Sequence, residues 1–378
     1  MNFVEHVAKA MVLTPAGIPV PQACVCHTPE DARAAFAQIG PCVVKAQVPV
    51  GKRGKAGGIK AANTPEEAAA RAKDILALTI DGHRVGELLL EQQAKIVREF
   101  YAAVMIDVTA RCPLVLFSTE GGMDIEEVAA SNPSSIRRKV IDLDTGFVPA
   151  AAHELILGLD LGPAHDQIAD ILARMYEAFT THDCELLEIN PLALLGDGRV
   201  VALDCKLTLD DGSSARQASL AAHGAPELMT ELEKRGTAAG LKFIQLDGNI
   251  GVLANGAGLT MTTMDVIAHQ GGRPANFLEI GGEAYTKAEI ALDLVLSNPG
   301  VKALVVNFCG AFARTDVMAD GVVKAWQKLK PAIPVFFSIH GTGEDEARAL
   351  VKRELGLEPI DFMEDAVAAA IAAAKGTA

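Results

Sequence analysis

A glycine-rich segment concentrates positive charge in a chain that is otherwise acidic. Residues 51–58 read GKRGKAGG, with four glycines and three cationic side chains, whereas the 378-residue chain has a formal net charge of −14. Glycines let backbone N–H groups approach an anion closely, and the cations attract an anion that the rest of the protein would repel. We therefore predict a phosphate-binding loop, with a solvated hairpin as the alternative for this segment taken alone. It is not a P-loop, because Ala56 follows Lys55 where that motif requires Ser or Thr.

A lysine in the preceding segment supports the phosphate interpretation. Lys45 lies within CVVKAQV, residues 42–48, an apolar run that predicts a strand leading into the loop. A cation in such a setting needs an anionic partner or a path to water. Phosphate contact is favoured over a lysine whose stem merely extends to solvent.

A second group of polar residues lies in the segment 185–207. Its Gly-Asp-Gly sequence at 196–198 predicts a three-residue hairpin loop with Gly198 in the left-handed region. In that register, the numbers of paired residues add up to 394, so Asn190 lies opposite Asp204. An amide oxygen beside a carboxylate forms part of a coordination shell suited to Mg²⁺, with water and phosphate completing it. The alternative is a polar cross-strand pair at a sheet edge.

The same register pairs Glu188 with Lys206. Because side chains two residues apart share a face of a strand, both should project on the side of the amide–carboxylate pair. The opposite face is expected to carry Leu187, Ile189, Val201, Leu203 and Cys205. A slip of one residue would scatter the polar group.

Helices and strands around these motifs can be predicted from capping signals and apolar periodicity. Residues 28–31 (TPED) predict a helix start with the threonine as N-cap, and residues 64–65 (TP) begin another helix in the same way. The segment 59–63 predicts the strand that returns from the glycine-rich loop. Segments between 87 and 118 predict an antiparallel sheet, and a long helix is expected near 164–181.

After residue 241, apolar strands alternate with helices, which predicts a parallel sheet covered on both faces. Glycine-containing loops follow the strands, with the sequences NGAG, GGEA, NFCGAF and HGTG. Ligands of such open sheets bind beyond the carboxyl ends of the strands. The second half of the chain is therefore expected to bind a ligand as well.

Composition narrows the classes of function. Seven cysteines occur without a Cys-x-x-Cys pair, which indicates reduced thiols in the cytoplasm. The N-terminal segment carries Glu5 and His6 within its apolar pattern, unlike a signal peptide, and no run of about 18 uncharged apolar residues predicts a membrane span. A pI near 5.1 and a single Trp argue against nucleic-acid binding.

Six blocks of the sequence, read in order, are KAQVPVGKRGKAGG, STEGGMDIEEVAA, LLEINPLALL, ALDCKL, LDGNIGVLANGAGLTMTTMD and GGRPANFLEIGG. Together they resemble the β subunit of the succinate–CoA ligases that form ADP or GDP, from about residue 2 to the end. The resemblance implies an α/β protein with an α+β part: an ATP-grasp domain over residues 1–235 and a flavodoxin-like CoA-ligase domain over 236–378. It also implies a role in the tricarboxylic acid cycle.

The resemblance further implies roles for individual residues. The implied nucleotide contacts are Lys45, Lys52, Arg53, Gly54, Glu91, Ala94 and Glu99. The implied magnesium ligands are Asn190 and Asp204, and the implied contacts of the acyl substrate are Asn255, Ala311, Phe312 and Ala313. Glu188 resembles the glutamate that orients a histidine at the nucleotide site, and a salt bridge with Lys206 is the alternative role for it.

The reaction implied for the family passes phosphate from a nucleoside triphosphate to a histidine and then to the carboxylic acid, which becomes an acyl phosphate. The CoA thiol attacks this acyl phosphate and releases the phosphate. That histidine lies in a GHAGA-type loop of a partner α subunit, which also carries CoA. None of the nine histidines here lies in such a loop, so this chain is expected to be one subunit of a heterooligomeric enzyme.

Several positions depart from the family pattern. Lys52 stands where members typically have Gly, NFCGAFARTD replaces NIFGGIVRCD, and residues 338–341 (SIHG) replace an RLEG-type element. Because the departures fall mainly in the half expected to hold the acid, malate or another substituted dicarboxylate is the alternative to succinate. Family members that are specific for GTP often have a polar residue at the position of Pro21, so the resemblance favours ATP over GTP.

Two further functions compete with these. An ATP-grasp enzyme that forms amide or carboxyphosphate bonds would act without an α subunit or CoA. A diverged subunit that only binds nucleotide and regulates a partner would tolerate the loss of Asn190 and Asp204.

Overall fold

The computed structural model describes residues 1–123, 125–280 and 284–376. The chain divides into two compact units, Met1–Leu228 and Met229–Ala378. From the sequence, we expected the second domain to begin at residue 236. In the structure, a helix that begins at Glu231 already packs within the second unit, where the Gln245 amide donates to Glu233 Oε1 at 3.0 Å.

The strands of unit 1 are β1 Ala23–Cys26, β2 Cys42–Ala46, β3 Ile59–Ala62, β4 Thr79–Ile80, β5 His83–Arg84, β6 Leu88–Gln92, β7 Ile96–Asp107, β8 Cys112–Ser118, β9 Ile136–Val140, β10 Cys184–Leu195, β11 Val200–Ala202 and β12 Lys206–Leu209. Its α-helices are α1 Glu5–Ala8, α2 Pro29–Ile39, α3 Pro65–Leu76, α4 Ile125–Ser131, α5 Pro149–Leu155, α6 His165–Thr181 and α7 Ala218–Ala221. A π-helical segment, Lys9–Leu13, continues α1.

A small antiparallel sheet presents the glycine-rich loop. Its strand order is β1-β6-β2-β3, and α2 and α3 pack against it. The predicted cap of α2 is confirmed: Thr28 Oγ1 accepts from the Asp31 amide at 3.1 Å, and Asp31 accepts from the Thr28 amide at 3.0 Å. Since β2 and β3 pair from Lys45 and Ile59 outward, the glycine-rich loop closes one end of this hairpin.

A larger antiparallel sheet has the order β11-β10-β7-β8-β9, with β12 also paired to β10. The prediction of one sheet over residues 87–118 is therefore wrong for its first segment. β6 pairs with β1 and β2 in the small sheet, and only β7 and β8 belong to the larger one. Apolar periodicity indicates a strand but not its partner, because pairing depends on contacts remote in sequence.

The predicted register of the β10 hairpin is confirmed. Leu192 pairs with Ala202 and Glu188 with Lys206, and Gly198 has a φ of +86°. The predicted apolar face is only partly correct: Leu187, Ile189 and Cys205 enter the main core, whereas Val201 and Leu203 join a separate small cluster. The register against β7 shifts by one residue between Ile189 and Leu192, and this irregularity interrupts the alternation of faces.

The strands of unit 2 are β13 Phe243–Gln245, β14 Ile250–Ala254, β15 Asn276–Leu278, β16 Ala303–Gly310 and β17 Val335–Gly341. A parallel sheet of order β14-β16-β17 forms as predicted. The prediction is wrong for the strand before the GGEA loop, because β15 pairs antiparallel with β13 and isolated parallel bridges beside it reach β14. The helices are α8 Glu231–Ala238, α9 Ala257–His269, α10 Ala284–Leu296, α11 Thr315–Leu329, α12 Glu344–Leu355 and α13 Met363–Ala374. Gly281 and Gly282 of the GGEA loop lie outside the described residues.

The helices of the described ranges are each too short or too polar to span a lipid bilayer.

Candidate active site

A cleft of about 590 Å³ in unit 1 brings together most of the residues predicted to bind nucleotide and metal. The predicted site residues that line it are Lys45, Lys52, Arg53, Gly54, Glu91, Ala94, Glu188, Asn190 and Asp204. They come from β2, the glycine-rich loop, the end of β6 and the β10 hairpin. The glycine-rich loop, which ends at Gly58, and the hairpin, which begins at Cys184, thus face one space.

Glu99 does not line this cleft. It lies on β7, where its carboxylate contacts the position of Gly122: a Cβ built on Gly122 would come within 2.3 Å of Glu99 Oε2. Gly122 lines the cleft and has a φ of +70°, which disfavours other residues. Glu99 therefore lies behind Gly122 in the wall of the cleft and does not line the inner surface.

Lys45 is buried and surrounded by acceptors. Its Nζ donates to Glu91 Oε1 at 2.6 Å, to Glu5 Oε1 at 3.0 Å and to the carbonyl of Leu203. Burial alone would lower the pKa of Lys45, but the carboxylates of Glu5 and Glu91 outweigh it and hold the pKa above its usual value. These carboxylates thus favour the charged form of Lys45, which lies on the wall of the cleft.

Arg53 differs from the other cations of the glycine-rich loop, because its side chain turns inward and is only 6% exposed. Its Nη1 donates to the Ala46 carbonyl at 2.9 Å, and its Nη2 donates to Asp204 Oδ1 at 2.6 Å. Nη2 also lies 2.8 Å from Glu5 Oε2, with which it forms an ion pair. Lys55, by contrast, is 69% exposed.

The backbone of the loop is turned upon itself. The Gly57 amide donates to the Gly54 carbonyl at 3.0 Å, and the Gly58 amide donates to the Arg53 carbonyl at 2.9 Å. Lys52 and Gly57 have φ values of +60° and +77°. A left-handed backbone at a lysine is costly, and such strain is more frequent at binding sites than elsewhere.

Asn190 and Asp204 both line the cleft and lie in facing segments of the β10 hairpin, where its pairing is interrupted. Asn190 Oδ1 accepts from the Gly122 amide at 2.8 Å, and its Nδ2 donates to the Met123 carbonyl at 2.9 Å. Asp204 Oδ1 accepts from Arg53 and, at 2.8 Å, from the Cys205 amide. Both side chains offer oxygen ligands to the cleft, and the amide oxygen retains a second lone pair, so the donor set fits Mg²⁺.

Glu188 does not form the predicted alternative salt bridge. Although it pairs with Lys206 across the strands, no ion pair within 4.0 Å joins them among the described contacts; instead, Glu188 Oε2 accepts from the Tyr101 hydroxyl at 3.0 Å. Burial raises the pKa of Glu188 above its usual value, against the opposing effects of Tyr101 and Lys206. Burial and the nearby Glu188 charge likewise raise the pKa of Tyr101.

The predicted acyl-substrate residues lie in unit 2, beyond the carboxyl ends of β14 and β16. Asn255 Nδ2 donates to the Cys309 carbonyl at 2.8 Å, and Asn255 Oδ1 accepts from the Cys309 amide at 2.8 Å. These bonds hold the start of the loop that carries Ala311–Ala313. The ring of Phe312 in that loop is fully exposed. The same edge holds the beginning of α9, whose N-cap is Gly256.

Sequence reasoning missed Glu5 and Lys9, which are buried beside Lys45. Lys9 Nζ donates to Glu5 Oε1 at 2.6 Å, to the Leu203 carbonyl at 2.9 Å and to Glu91. The available signal was a Glu–Lys pair four residues apart inside an apolar pattern, which places both charges on one helix face. Their partners come from strands remote in sequence.

Known proteins are similar to this chain over both of its units. A family model described as an ATP-grasp domain matches residues 2–194, and one described as CoA-ligase matches residues 253–373. The chain is 42% identical over 380 residues to the succinate–CoA ligase [ADP-forming] β subunit of Chloroflexus aurantiacus, with all of both chains covered. It is 40% identical to the succinate–CoA ligase [GDP-forming] β subunit of Thermus thermophilus, with 93% of each covered. Among solved structures, an ATP citrate lyase of Methanosaeta concilii has a TM-score of 0.71 at 20% identity, covering 98% of this chain and 99% of that chain, which shows a shared fold.

Proposed function

The chain belongs to the succinate–CoA ligase β-subunit family of acid–thiol ligases, and we propose that it is the nucleotide-binding β subunit of a cytoplasmic, ADP-forming succinate–CoA ligase. In this reaction, phosphate passes from ATP to a histidine of a partner α subunit and then to succinate. The CoA thiol attacks the acyl phosphate to give the thioester and releases phosphate. The observation that carries the proposal is the single cleft lined by Lys45, Arg53, Asn190 and Asp204.

Within this cleft, Lys45, Arg53 and the backbone of the glycine-rich loop bind the triphosphate. Asn190 and Asp204 hold Mg²⁺, which neutralises phosphate charge when it is bound. Glu188 accepts a hydrogen bond from the imidazole of the partner's histidine and so fixes its tautomer. The raised pKa of Glu188 means that this carboxylate is poorly solvated and gains from such a donor.

ATP is the proposed nucleotide, although the family includes ADP-forming and GDP-forming relatives. Support comes from a neighbouring cleft of about 490 Å³, which shares Gln92, Gln93 and Ala94 with the first. Pro21 lines that second cleft and offers no side-chain hydrogen-bond donor that would select guanine.

One observation favours a second candidate, a malate–CoA or other substituted dicarboxylate–CoA ligase. Ala311 and the exposed Phe312 replace smaller or aliphatic residues of the family pattern in the loop proposed to hold the acid. An added Cβ at 311 limits how closely the backbone can approach a carboxylate.

The test is ADP formation by the chain co-purified with its α partner, in the presence of CoA and a panel of dicarboxylic acids. The proposal expects the highest kcat/KM with succinate, whereas a preference for malate would establish the second candidate. ADP formation without the α partner or CoA would identify a different ATP-grasp reaction. Unchanged turnover in the Asn190→Ala and Asp204→Ala variants would exclude the proposed metal site.

A further inference from the structure

Lys9 is a buried cation for which the proposed chemistry provides no role. Its side chain is 6% exposed, and it lines neither the nucleotide cleft nor the neighbouring cleft of about 490 Å³. It nevertheless donates to the same three groups as Lys45, namely Glu5 Oε1, the Glu91 carboxylate and the Leu203 carbonyl. Two lysines therefore share one set of acceptors, and only Lys45 faces the cleft.

The surrounding charges do not balance. We call Glu5, Lys9, Lys45, Arg53 and Glu91 the charged cluster; their side chains are each at most 8% exposed. Three cations stand against two carboxylates, which leaves one net positive charge in a buried setting. Lys9 supplies one of these three positive charges, and removing it would make the five residues neutral before Asp204 is counted.

At the edge of the cleft, Asp204 supplies the compensating charge. Its side chain is 32% exposed and binds Arg53, which lines the cleft together with Lys45 and Glu91. If Asp204 becomes a metal ligand, as proposed above, its share of the compensation falls. The net positive charge is then available to a phosphate group at Arg53 and Lys45.

The burial of the cluster strengthens this effect. A charge in a low-dielectric interior acts over a longer range than one screened by water and salt, so Lys9 can influence an anion in the cleft without touching it. The exposed Lys55 lacks this advantage, since its side chain is 69% accessible to solvent.

We propose that Lys9 is a positioning residue of the nucleotide site: from behind Glu5 and Glu91, it supplies the net positive charge that makes the cleft bind a triphosphate. This inference rests on the proposed function. Lys9 shares the two carboxylates with Lys45, so neither lysine is fully neutralised. Lys45 and Arg53 therefore face the cleft as electrostatically competent phosphate ligands.

The test is the dissociation constant for ATP with Mg²⁺, measured by calorimetry on the chain assembled with its α partner. Lys9→Met should weaken ATP binding on the order of tenfold, and Lys9→Arg, which keeps the charge, should restore much of it. Glu5→Gln adds to the positive excess and should tighten ATP binding, while the double variant Lys9→Met/Glu5→Gln should return it to near the wild-type value. In steady state, Lys9→Met should raise the KM for ATP and leave those for CoA and the acid unchanged.

The opposite signs separate this electrostatic role from a structural one. If Lys9 only supported the fold, Lys9→Met and Glu5→Gln would both weaken ATP binding, and that outcome would overturn the inference. So would a folded Lys9→Met variant that binds ATP as tightly as the wild type. The Glu5→Gln measurement decides the matter if Lys9→Met fails to fold. A wild-type complex that does not bind ATP would instead refute the proposed function.

Discussion

Arg53 Nη2 lies 2.6 Å from Asp204 Oδ1, a contact that joins the glycine-rich loop to the β10 hairpin. The two residues are remote in sequence, and each was expected at the nucleotide site for a separate reason. Burial of Arg53 opposes its charged form, but the carboxylates of Asp204 and Glu5 more than compensate and raise its pKa. Asp204 thus binds the guanidinium that we propose as a phosphate contact.

Asp204→Asn should lower kcat for ADP formation about 10²-fold or more, because it removes a proposed metal ligand and the charge opposite Arg53. The fold should persist, since Asp204 is partly exposed. Asp197→Asn is the matched control: Asp197 lies at the turn of the same hairpin, where it bonds to Arg199. Steady-state assays that compare kcat for ADP formation in the two variants test this prediction. Equal activities would contradict the role assigned to Asp204.

Lys45→Met should destabilise unit 1 by about 3 kcal/mol, because it removes one cation from two buried carboxylates. Urea denaturation followed by circular dichroism measures this. The control is Lys55→Met, which changes an exposed lysine whose Nζ lies 3.8 Å from Glu127 Oε1, and should alter the free energy of unfolding by less than about 0.5 kcal/mol. Equal effects of the two substitutions would show that the buried ion pairs are unimportant for stability.

Acid should weaken the fold through Glu5. Burial works to raise the pKa of Glu5, but Lys45, Lys9 and Arg53 hold it well below the usual value. A carboxyl whose pKa is depressed by folding stabilises the protein above its unfolded-state pKa, and this stabilisation is lost as the pH falls through its folded-state pKa. Glu5→Gln should therefore be less stable than the wild type near pH 7, with a difference that shrinks below roughly pH 4. Unfolding measured across this pH range tests the predicted pH dependence of the stability difference. Glu177→Gln, at an exposed position of α6, is the control. A stability difference that does not change with pH would contradict the role assigned to Glu5.

Gly122→Ala should impair both stability and activity. The residue has a φ of +70°, a Cβ would meet Glu99 Oε2 at 2.3 Å, and its amide binds Asn190. We expect a loss of about 1–3 kcal/mol and a raised Mg²⁺ requirement in the ADP-forming assay. Gly356→Ala is the control, because it has a φ of +69° with no atom near its Cβ position and lies in unit 2. If both variants kept the wild-type Mg²⁺ requirement, the Gly122–Asn190 contact would have no role in the metal site.

Phe312→Ile should change the choice of acid without affecting the fold, because the ring is fully exposed. If the loop holds the acid, the ratio of kcat/KM for succinate to that for malate should shift by about tenfold. Val317→Ala, at another exposed apolar position of unit 2, should leave the ratio unchanged. An unaltered ratio in the Phe312 variant would separate this loop from the acid.

Local sequence determined much of the site. The Gly-Asp-Gly turn and the left-handed Gly198 determined the register of the β10 hairpin, which puts Asn190 and Asp204 in facing segments. The N-cap of α2 follows from residues within one helical turn. Such features depend on backbone dihedrals and hydrogen bonds between near neighbours, so their energetics are contained in a few consecutive residues.

Tertiary structure alone decided where β6 pairs, why Arg53 turns inward and why Lys9 is buried. Lys9 meets Glu91 and Leu203, which lie 82 and 194 residues farther along the chain. Burial of a charge is tolerated only when partners from other elements arrive together, and their arrival depends on the packing of the whole unit. The sequence by itself therefore determined which side chains are available at the candidate site and how they are spaced locally. The balance of charge around these side chains was set by contacts that only the folded unit makes.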